Sequence, residues 1–154
     1  MMNEAGAAPA GEMRAVCTAC GSINRLPAGR PAAEGRCGHC HAPLFTGHPA
    51  EIDGAGFRRQ IVHSTVPVLV DIWAPWCGPC RMMGPAFAEA ARTLEPRVRL
   101  LKLNSDAEPQ ISAELGVRSI PALMLFSGGR RVAATAGAMT TAGIVRWVEQ
   151  HLPA

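Results

Sequence analysis

No stretch of these 154 residues approaches the roughly 18 to 20 apolar residues that a membrane-spanning helix needs. The start reads as a poor secretory signal. The first residues are rich in Ala and Gly, carry Glu4 and Glu12, and place no basic cluster before an apolar run. The expected setting is therefore cytoplasmic, with no membrane partner. Tyrosine is absent, and only three Trp and four Phe supply aromatic rings. An excess of one charge is lacking as well: a formal +3 is too weak and too scattered to argue for nucleic acid. Finally, no cysteine stands outside one spacing. All six fall in CTAC (17–20), CGHC (37–40) and CGPC (77–80). Lasting structural disulfides are rare in a reducing compartment, so paired cysteines there point to metal or redox work. A two-residue gap serves either.

What is present divides the chain. Its length suits one ordinary domain, or a small one beside a minimal one. With 48% apolar residues it can bury a real core, and 18% charged residues is ordinary for a globular protein. Residues 1–13 read as a disordered tail, with Met13 as an alternative start. Residues 14–46 hold many turn formers, and their apolar positions are few: Val16, Ile23, Leu26, Leu44 and Phe45. That segment cannot bury enough surface to offset its ordering entropy, so a cross-link must hold it. Residues 47–154 form the second unit.

Within that unit, Phe57 and Ile61 predict a short amphipathic helix with Asp53 as N-cap. VPVLVDIW (66–73) is a near-continuous β-branched run, expected as a strand covered on both faces. From Cys77 to Leu94, Met83, Phe87, Ala90 and Leu94 share a helix face, with Pro85 as an expected kink. RVRLLKLN (97–104) reads as a second central strand. Residues 106–116 predict a helix with Asp106 as N-cap, Ile111 and Leu115 inward and Gly116 as terminator. PALMLF and RVAATA, joined through Ser127, Gly128 and Gly129, predict a hairpin. Ile144, Val145, Val148 and Leu152 line a closing helix. The order predicts an α/β fold, a central mixed sheet with helices on both faces.

Cys77 falls where the buried strand ends and a helix begins. The first helical turn carries unpaired N–H groups and the positive end of the helix dipole, which favour thiolate over thiol. Cys80, one turn on, is expected to sit deeper, yet within reach of Cys77 for a disulfide. Pro79 suits the opening turn, where its missing N–H would be unpaired anyway. Buried structural cysteines, or half of a metal site, are the alternatives. Asp71 is the only charge in its apolar strand, six residues before Cys77. Burial raises the pKa of such a carboxyl and suits a proton acceptor near neutral pH, the alternative being a structural carboxyl held by backbone donors. Lys102 shares a strand face with Val98 and Leu100. A buried stem with its amine toward Asp71 stands beside ordinary snorkelling.

The segment VDIWAPWCGPCRMMGP resembles the active-site segment of the thioredoxin family, and the alternation over 52–152 is similar to that family's fold. The resemblance implies that Cys77 attacks a substrate disulfide and that Cys80 then resolves the mixed disulfide, leaving Cys77–Cys80 oxidised. It assigns Asp71 to deprotonating Cys80 through water. It places Trp76, Gly78, Pro79, Ile120, Pro121 and Gly137 on the substrate surface, with Pro121 of SIPA cis and Gly137 admitting a substrate backbone. Lys102 would tune the proton on Asp71, and Trp73 is expected to pack in the core. Arg81 stands where many family members have lysine.

CTAC and CGHC are 16 residues apart, and C-x2-C-x16-C-x2-C falls within the spacing of four-cysteine zinc ribbons. One structural zinc on Cys17, Cys20, Cys37 and Cys40 would supply the missing cross-link, worth roughly 10–16 kcal/mol to a small metal domain. CGHC is also the active-site tetrapeptide of protein disulfide isomerases. Here, however, Cys37 follows AAEGR, with no apolar strand and no tryptophan before it, and Pro43 comes three residues after Cys40. A structural disulfide pair and a second redox centre are the remaining alternatives. His39 or His41 could replace a cysteine ligand, but four cysteines suffice. His48, His63 and His151 have no constellation around them. A ribbon followed by WCGPC, with INRLP after the first pair and PLF after the second, resembles the zinc-containing second type of bacterial thioredoxin over residues 14–152.

That resemblance implies a thioredoxin fold preceded by a small zinc ribbon. The protein would be a monomeric, cytoplasmic protein-disulfide reductase acting on disulfide-containing protein substrates and rereduced by a thioredoxin reductase. The ribbon would be structural, or release its zinc on oxidation. A net thiol oxidase or isomerase competes, with Gly-Pro between the thiols arguing for the reducing direction. A ribbon that recruits a partner or nucleic acid competes from another class. Arg14, Arg25, Arg30 and Arg36 against Glu34 leave it net basic, although nucleic acid is not the expected partner.

Overall fold

The computed structural model describes residues 13–153. The expected tail lies outside these residues except for Met13, which opens the first strand.

Two strands, β1 (Met13–Val16) and β2 (Ile23–Leu26), pair antiparallel around the first cysteine pair. A short 3-10 turn (Ala32–Glu34) and an isolated bridge between Arg36 and Pro43 frame the second pair. The remaining elements are β3 (Ala50–Glu51), α1 (Gly54–His63), β4 (Val68–Trp73), α2 (Gly78–Leu94), β5 (Arg99–Asn104), α3 (Pro109–Glu114), β6 (Ala122–Ser127), β7 (Arg130–Ala136) and α4 (Thr141–His151). The five later strands form one sheet in the order β3-β5-β4-β6-β7. The first three run parallel, and β6 and β7 are antiparallel to their neighbours.

Each face of the sheet has its own helices. Leu69, Leu100 and Leu125 pack with Met83 and Phe87 of α2 and Ile144 and Val148 of α4. Val68, Val70, Ile72 and Leu101 pack with Phe57 of α1 and Ile111 of α3. Burial on both sides explains the unbroken apolar run of β4. As expected, Asp53 caps α1, accepting the Gly56 N–H at 2.7 Å. Helix α2 runs from Gly78 to Leu94 through Pro85.

Asp106 does not cap α3. The helix begins at Pro109, and a residue before proline is held away from helical geometry, so Glu108 (φ −126°, ψ 60°) takes the cap position. Asn104 Oδ1 accepts the N–H groups of Asp106 and Ala107 instead, and the Asp106 carboxylate turns to Trp76.

The cysteine-bearing segment packs against the N-terminal ends of β4 and β5, sharing a small cluster of Ala15, Leu44 and Phe45 with Val66. Arg99, at the start of β5 and only 2% exposed, joins the two parts. Its guanidinium donates to the Leu44 carbonyl at 2.7 Å and the Val16 carbonyl at 3.1 Å, and lies 4.3 Å from the Phe45 ring centre. Glu95 stands 3.9 Å away, accepting N–H groups from Gly47 and Leu100 at 3.1 Å each. Burial raises the Glu95 pKa against the pull of the Leu100 N–H and of Arg99. Burial also lowers that of Arg99. From α1, Gln60 donates to the same Val16 carbonyl at 3.0 Å.

Candidate functional site

The dithiol stands where β4 hands over to α2. Cys77 occupies the N-cap position, and its Sγ accepts the Cys80 N–H at 3.2 Å. The two cysteines are joined as a disulfide. Pro79 sits in the first turn, where no donor is lost. The expected difference in depth is absent: Cys77 is 4% and Cys80 3% exposed. The disulfide seats both sulfurs among Ala74, Trp73 and Ile120. What separates them is the N–H aimed at one sulfur. The same N-terminal dipole that favours an anion acts most strongly at the Cys77 position.

Asp71 lies opposite Lys102 on β5 and Leu123 on β6. By strand alternation it shares a face with Leu69, on the side that α2 covers. It is fully buried, and neither carboxyl oxygen has a hydrogen-bond partner among the described residues. Desolvation pushes its pKa up to about 7, against the pull of Lys102 and with a smaller push from Glu51. The structural alternative, a carboxylate held by backbone donors, is therefore not what the fold contains. The Lys102 amine lies 4.0 Å from Glu51 Oε2 and 4.7 Å from the Trp73 ring centre. No ion pair joins it to Asp71 among the described residues.

A raised carboxyl pKa makes a prediction with a definite sign. Below about pH 4 both native and unfolded Asp71 are protonated, and the group has no effect. As pH rises toward 7 the unfolded chain ionises first, so native stability falls, and above about 7 the loss is complete. Asp71→Asn is therefore expected to raise stability above pH 7, with an upper bound of roughly 4 kcal/mol, and to leave it unchanged below pH 4. Denaturant titrations at several pH values check this. A gain that did not vary with pH would contradict it.

Around the dithiol, Trp76 is 67% exposed and donates from its ring N–H to Asp106 Oδ2 at 2.9 Å. Trp73 is half-buried beside the sulfurs, as expected of a packing residue. The Ile120–Pro121 bond is cis, and the Ile120 carbonyl oxygen lies 3.8 Å from Cys77 Sγ. Gly137 adopts φ +104° and donates its N–H to the Pro121 carbonyl at 2.8 Å, a backbone conformation that a side chain would strain. Gly78 has open space where a Cβ would stand. The fold thus gathers Trp76, Gly78, Pro79, Ile120, Pro121 and Gly137 around one disulfide from three separate chain segments. Arg81 donates to the Pro75 carbonyl at 3.1 Å.

The other four cysteines form a separate cluster. Their sulfurs all lie within 4.8 Å of one another, with Cys17 and Cys40 at 3.6 Å and Cys20 and Cys37 at 3.5 Å. A tetrahedral shell with bonds of about 2.3 Å sets sulfurs roughly 3.8 Å apart, so the four residues fit one thiophilic ion. The two halves repeat one turn. Cys17 N–H bonds to the Ser22 carbonyl and Gly21 N–H to the Cys17 carbonyl; Cys37 and Ala42, then His41 and Cys37, do the same. His41 (φ 68°) therefore occupies the left-handed position that Gly21 (φ 80°) fills in the first turn. Its role is conformational, and neither it nor His39 joins the sulfur cluster. The Cys40 N–H heads the donors that hold the Cys37 thiol down to about 5.

Comparison with known proteins agrees with this geometry. The family profile described as Thioredoxin matches residues 48–150. The chain belongs to the thioredoxin family. A second profile, described as the N-terminal part of Thioredoxin 2 and a zinc ribbon by name, matches residues 16–42 of this thioredoxin. Thioredoxin C-3 of Corynebacterium nephridii is 42% identical over 137 residues, spanning 89% of this chain and 94% of that protein. Thioredoxin 1 of a Nostoc species is 43% identical over 103 residues, 67% of this chain and 96% of that protein. Among solved structures, a thioredoxin from Malassezia sympodialis superposes with a TM-score of 0.63 at 30% identity, covering 73% of this chain and 98% of its own. Chloroplastic thioredoxin z gives 0.62 at 25% identity, covering 67% and 93%. The thioredoxin fold behind a cysteine-paired ribbon is thus established from sequence, geometry and kinship together.

Sequence reasoning missed three residues that matter around these sites. Glu51 stands beside Lys102 and acts electrostatically on Asp71, yet nothing local marks it. Arg99 and Glu95 were legible in principle. Arg99 interrupts an apolar strand between Val98 and Leu100, the same signal that singled out Asp71.

Proposed function

We propose that Cys77 and Cys80 are the exchanging pair of a protein-disulfide reductase, with Asp71 as proton acceptor and a single zinc held by the ribbon. The observation that carries this reading is the disulfide at the start of α2, with a buried, unpartnered carboxyl on the strand beneath. In the reduced protein, the Cys77 thiolate attacks one sulfur of a substrate disulfide. That S–S bond breaks, a Cys77–substrate disulfide forms, and the departing substrate sulfur takes a proton. Cys80 then loses its proton toward Asp71, by way of water, and attacks Cys77 Sγ. The mixed disulfide breaks, the second substrate thiol leaves, and Cys77–Cys80 closes. Two electrons have passed from protein to substrate; the proton that Asp71 took from Cys80 goes to the second substrate sulfur, and the first takes its proton from solvent, which had received that of Cys77.

An Asp71 pKa of about 7 suits this relay, because the group can take and return a proton near neutral pH. Trp76, Gly78, Pro79, Ile120, Pro121 and Gly137 would receive the substrate backbone. Lys102 and Glu51 would set the charge around Asp71. Rereduction requires a donor of two electrons, and a thioredoxin reductase in the cytoplasm fits that need. Disulfide exchange with reduction as its net direction belongs in a reducing compartment. Cys17, Cys20, Cys37 and Cys40 would hold zinc as a cross-link that stabilises the ribbon and takes no part in the exchange.

Reduced protein is expected to precipitate insulin by cleaving its interchain disulfides, and to turn over continuously with NADPH and a thioredoxin reductase. Absence of insulin reduction by a sample with two titratable thiols at 77 and 80 would overturn the reading.

A further inference from the structure

A groove of about 410 Å³ opens beside Trp76, between α3 and the segment that leads into Pro121. Its walls include Trp76, Ser105, Ser112, Arg118, Ser119 and Ile120. The Ile120 carbonyl is the group 3.8 Å from Cys77 Sγ, so the groove borders the reacting sulfur. Two of its groups lack partners. Ser112, 9% exposed, has a buried hydroxyl with no hydrogen-bond partner among the described residues. Arg118 is exposed, and among the described residues no hydrogen bond or ion pair engages it. Asp106 accepts the Trp76 N–H and does not line the groove. No acidic side chain lines it. One cation and three hydroxyls beside a nucleophilic sulfur form a set of donors that awaits an acceptor.

We infer that this groove is a subsite for an acidic side chain of the substrate, a glutamate or aspartate close in sequence to the cysteine under attack. The inference rests on the reductase reading and adds the class of substrate it prefers. The carboxylate would meet the Arg118 guanidinium and the Ser112 hydroxyl, satisfying a donor that otherwise stays buried and unpaired. A lysine at the same place would face Arg118 with like charge and meet no carboxylate in the groove. Because Arg118 is exposed, its attraction is screened, and the preference it confers is moderate and salt-dependent.

The test uses disulfide-linked dimers of a short alanine–glycine peptide. One residue, moved from two places before to two places after the cysteine, is glutamate, glutamine or lysine. With the full-length reduced protein at low salt, glutamate is expected to raise kcat/KM about threefold to fivefold over glutamine. The gain should lie in KM, appear at only one or two of the positions, and shrink as salt is added. Arg118→Glu should invert the order, favouring lysine over glutamate, and Ser112→Ala should narrow the glutamate–glutamine ratio. A second arm measures binding without turnover, through quenching of tryptophan fluorescence by the same peptides with serine in place of cysteine. The same order of affinities is expected there. Equal rates and affinities for the three peptides, or an order that Arg118→Glu leaves intact, would overturn the subsite. If wild-type protein failed to reduce any of the peptides, the reductase reading would fall, and the binding arm would still decide the subsite.

Discussion

Cys77→Ser is expected to abolish insulin reduction, whereas Cys80→Ser is expected to leave a protein that attacks substrate and then stays attached to it. Both cysteines have nearly the same exposure, so accessibility does not make the difference. Position does. Cys77 caps α2, where a backbone N–H points at its sulfur and the helix dipole favours negative charge. Cys80 lies inside the first turn, and in the proposed mechanism its use depends on a proton leaving toward Asp71. On the proposed reading Cys77 starts the exchange, so removing its sulfur should lower the rate by on the order of 10³-fold or more. Removing the second leaves the first step intact and blocks resolution, so mixed disulfides should accumulate and appear on non-reducing gels as adducts cleaved by dithiothreitol. Retention of a tenth of the activity by Cys77→Ser, or adducts on Cys77→Ser instead of Cys80→Ser, would reverse the assignment.

Arg99→Met is expected to cost about 3–5 kcal/mol and to loosen the four-cysteine cluster at the same time. Arg99 is a buried cation whose hydrogen bonds reach the carbonyl just before Cys17 and the carbonyl of Leu44, four residues after Cys40. Its loss strands Glu95 in a site where burial already works against the charged form. Removing one partner of a buried pair is costly for that reason. The second consequence follows from linkage: if Arg99 stabilises the metal-bound ribbon on the sheet, losing it must weaken metal retention. Calorimetry of the zinc-loaded protein should show the unfolding midpoint lower by roughly 10 °C. A chromophoric chelator should extract zinc at least about tenfold faster. The double variant Arg99→Met with Glu95→Gln should recover part of the stability, since no stranded charge remains. Arg97→Ala, which breaks an exposed pair with Glu149, should change stability by less than about 1 kcal/mol. Equal extraction rates for wild type and Arg99→Met would show that the ribbon does not depend on this contact.

These two expectations differ in how they could be found. The roles proposed for the three cysteine pairs are argued from signals along the chain, and those signals are local. A β-branched run that stops four residues before a cysteine, with proline two residues after that cysteine, announces a strand and a helix N-terminus. Turn formers without apolar periodicity announce a segment that needs a cross-link. Most helices and strands were equally legible from their periodicity, and the misassigned cap at Asp106 yielded to an equally local rule about proline. The contacts of Arg99 are of another kind. It reaches a carbonyl 83 residues earlier, and no window of sequence holds both partners.

The sequence by itself determined the fold, the alternation that builds a two-faced sheet, and the spacing that sets all six cysteines in three pairs. Those properties depend on side-chain spacing over one or two turns or strand lengths. Only the tertiary structure decided that Asp71 has no hydrogen-bond partner among the described residues, that Lys102 turns to Glu51 and Trp73, that Arg99 and Glu95 fasten the ribbon, and that Ser112 and Arg118 share a groove beside Cys77. Desolvation and partner choice depend on which distant segments exclude water from a group. That is set when the chain closes, not by its neighbours in sequence.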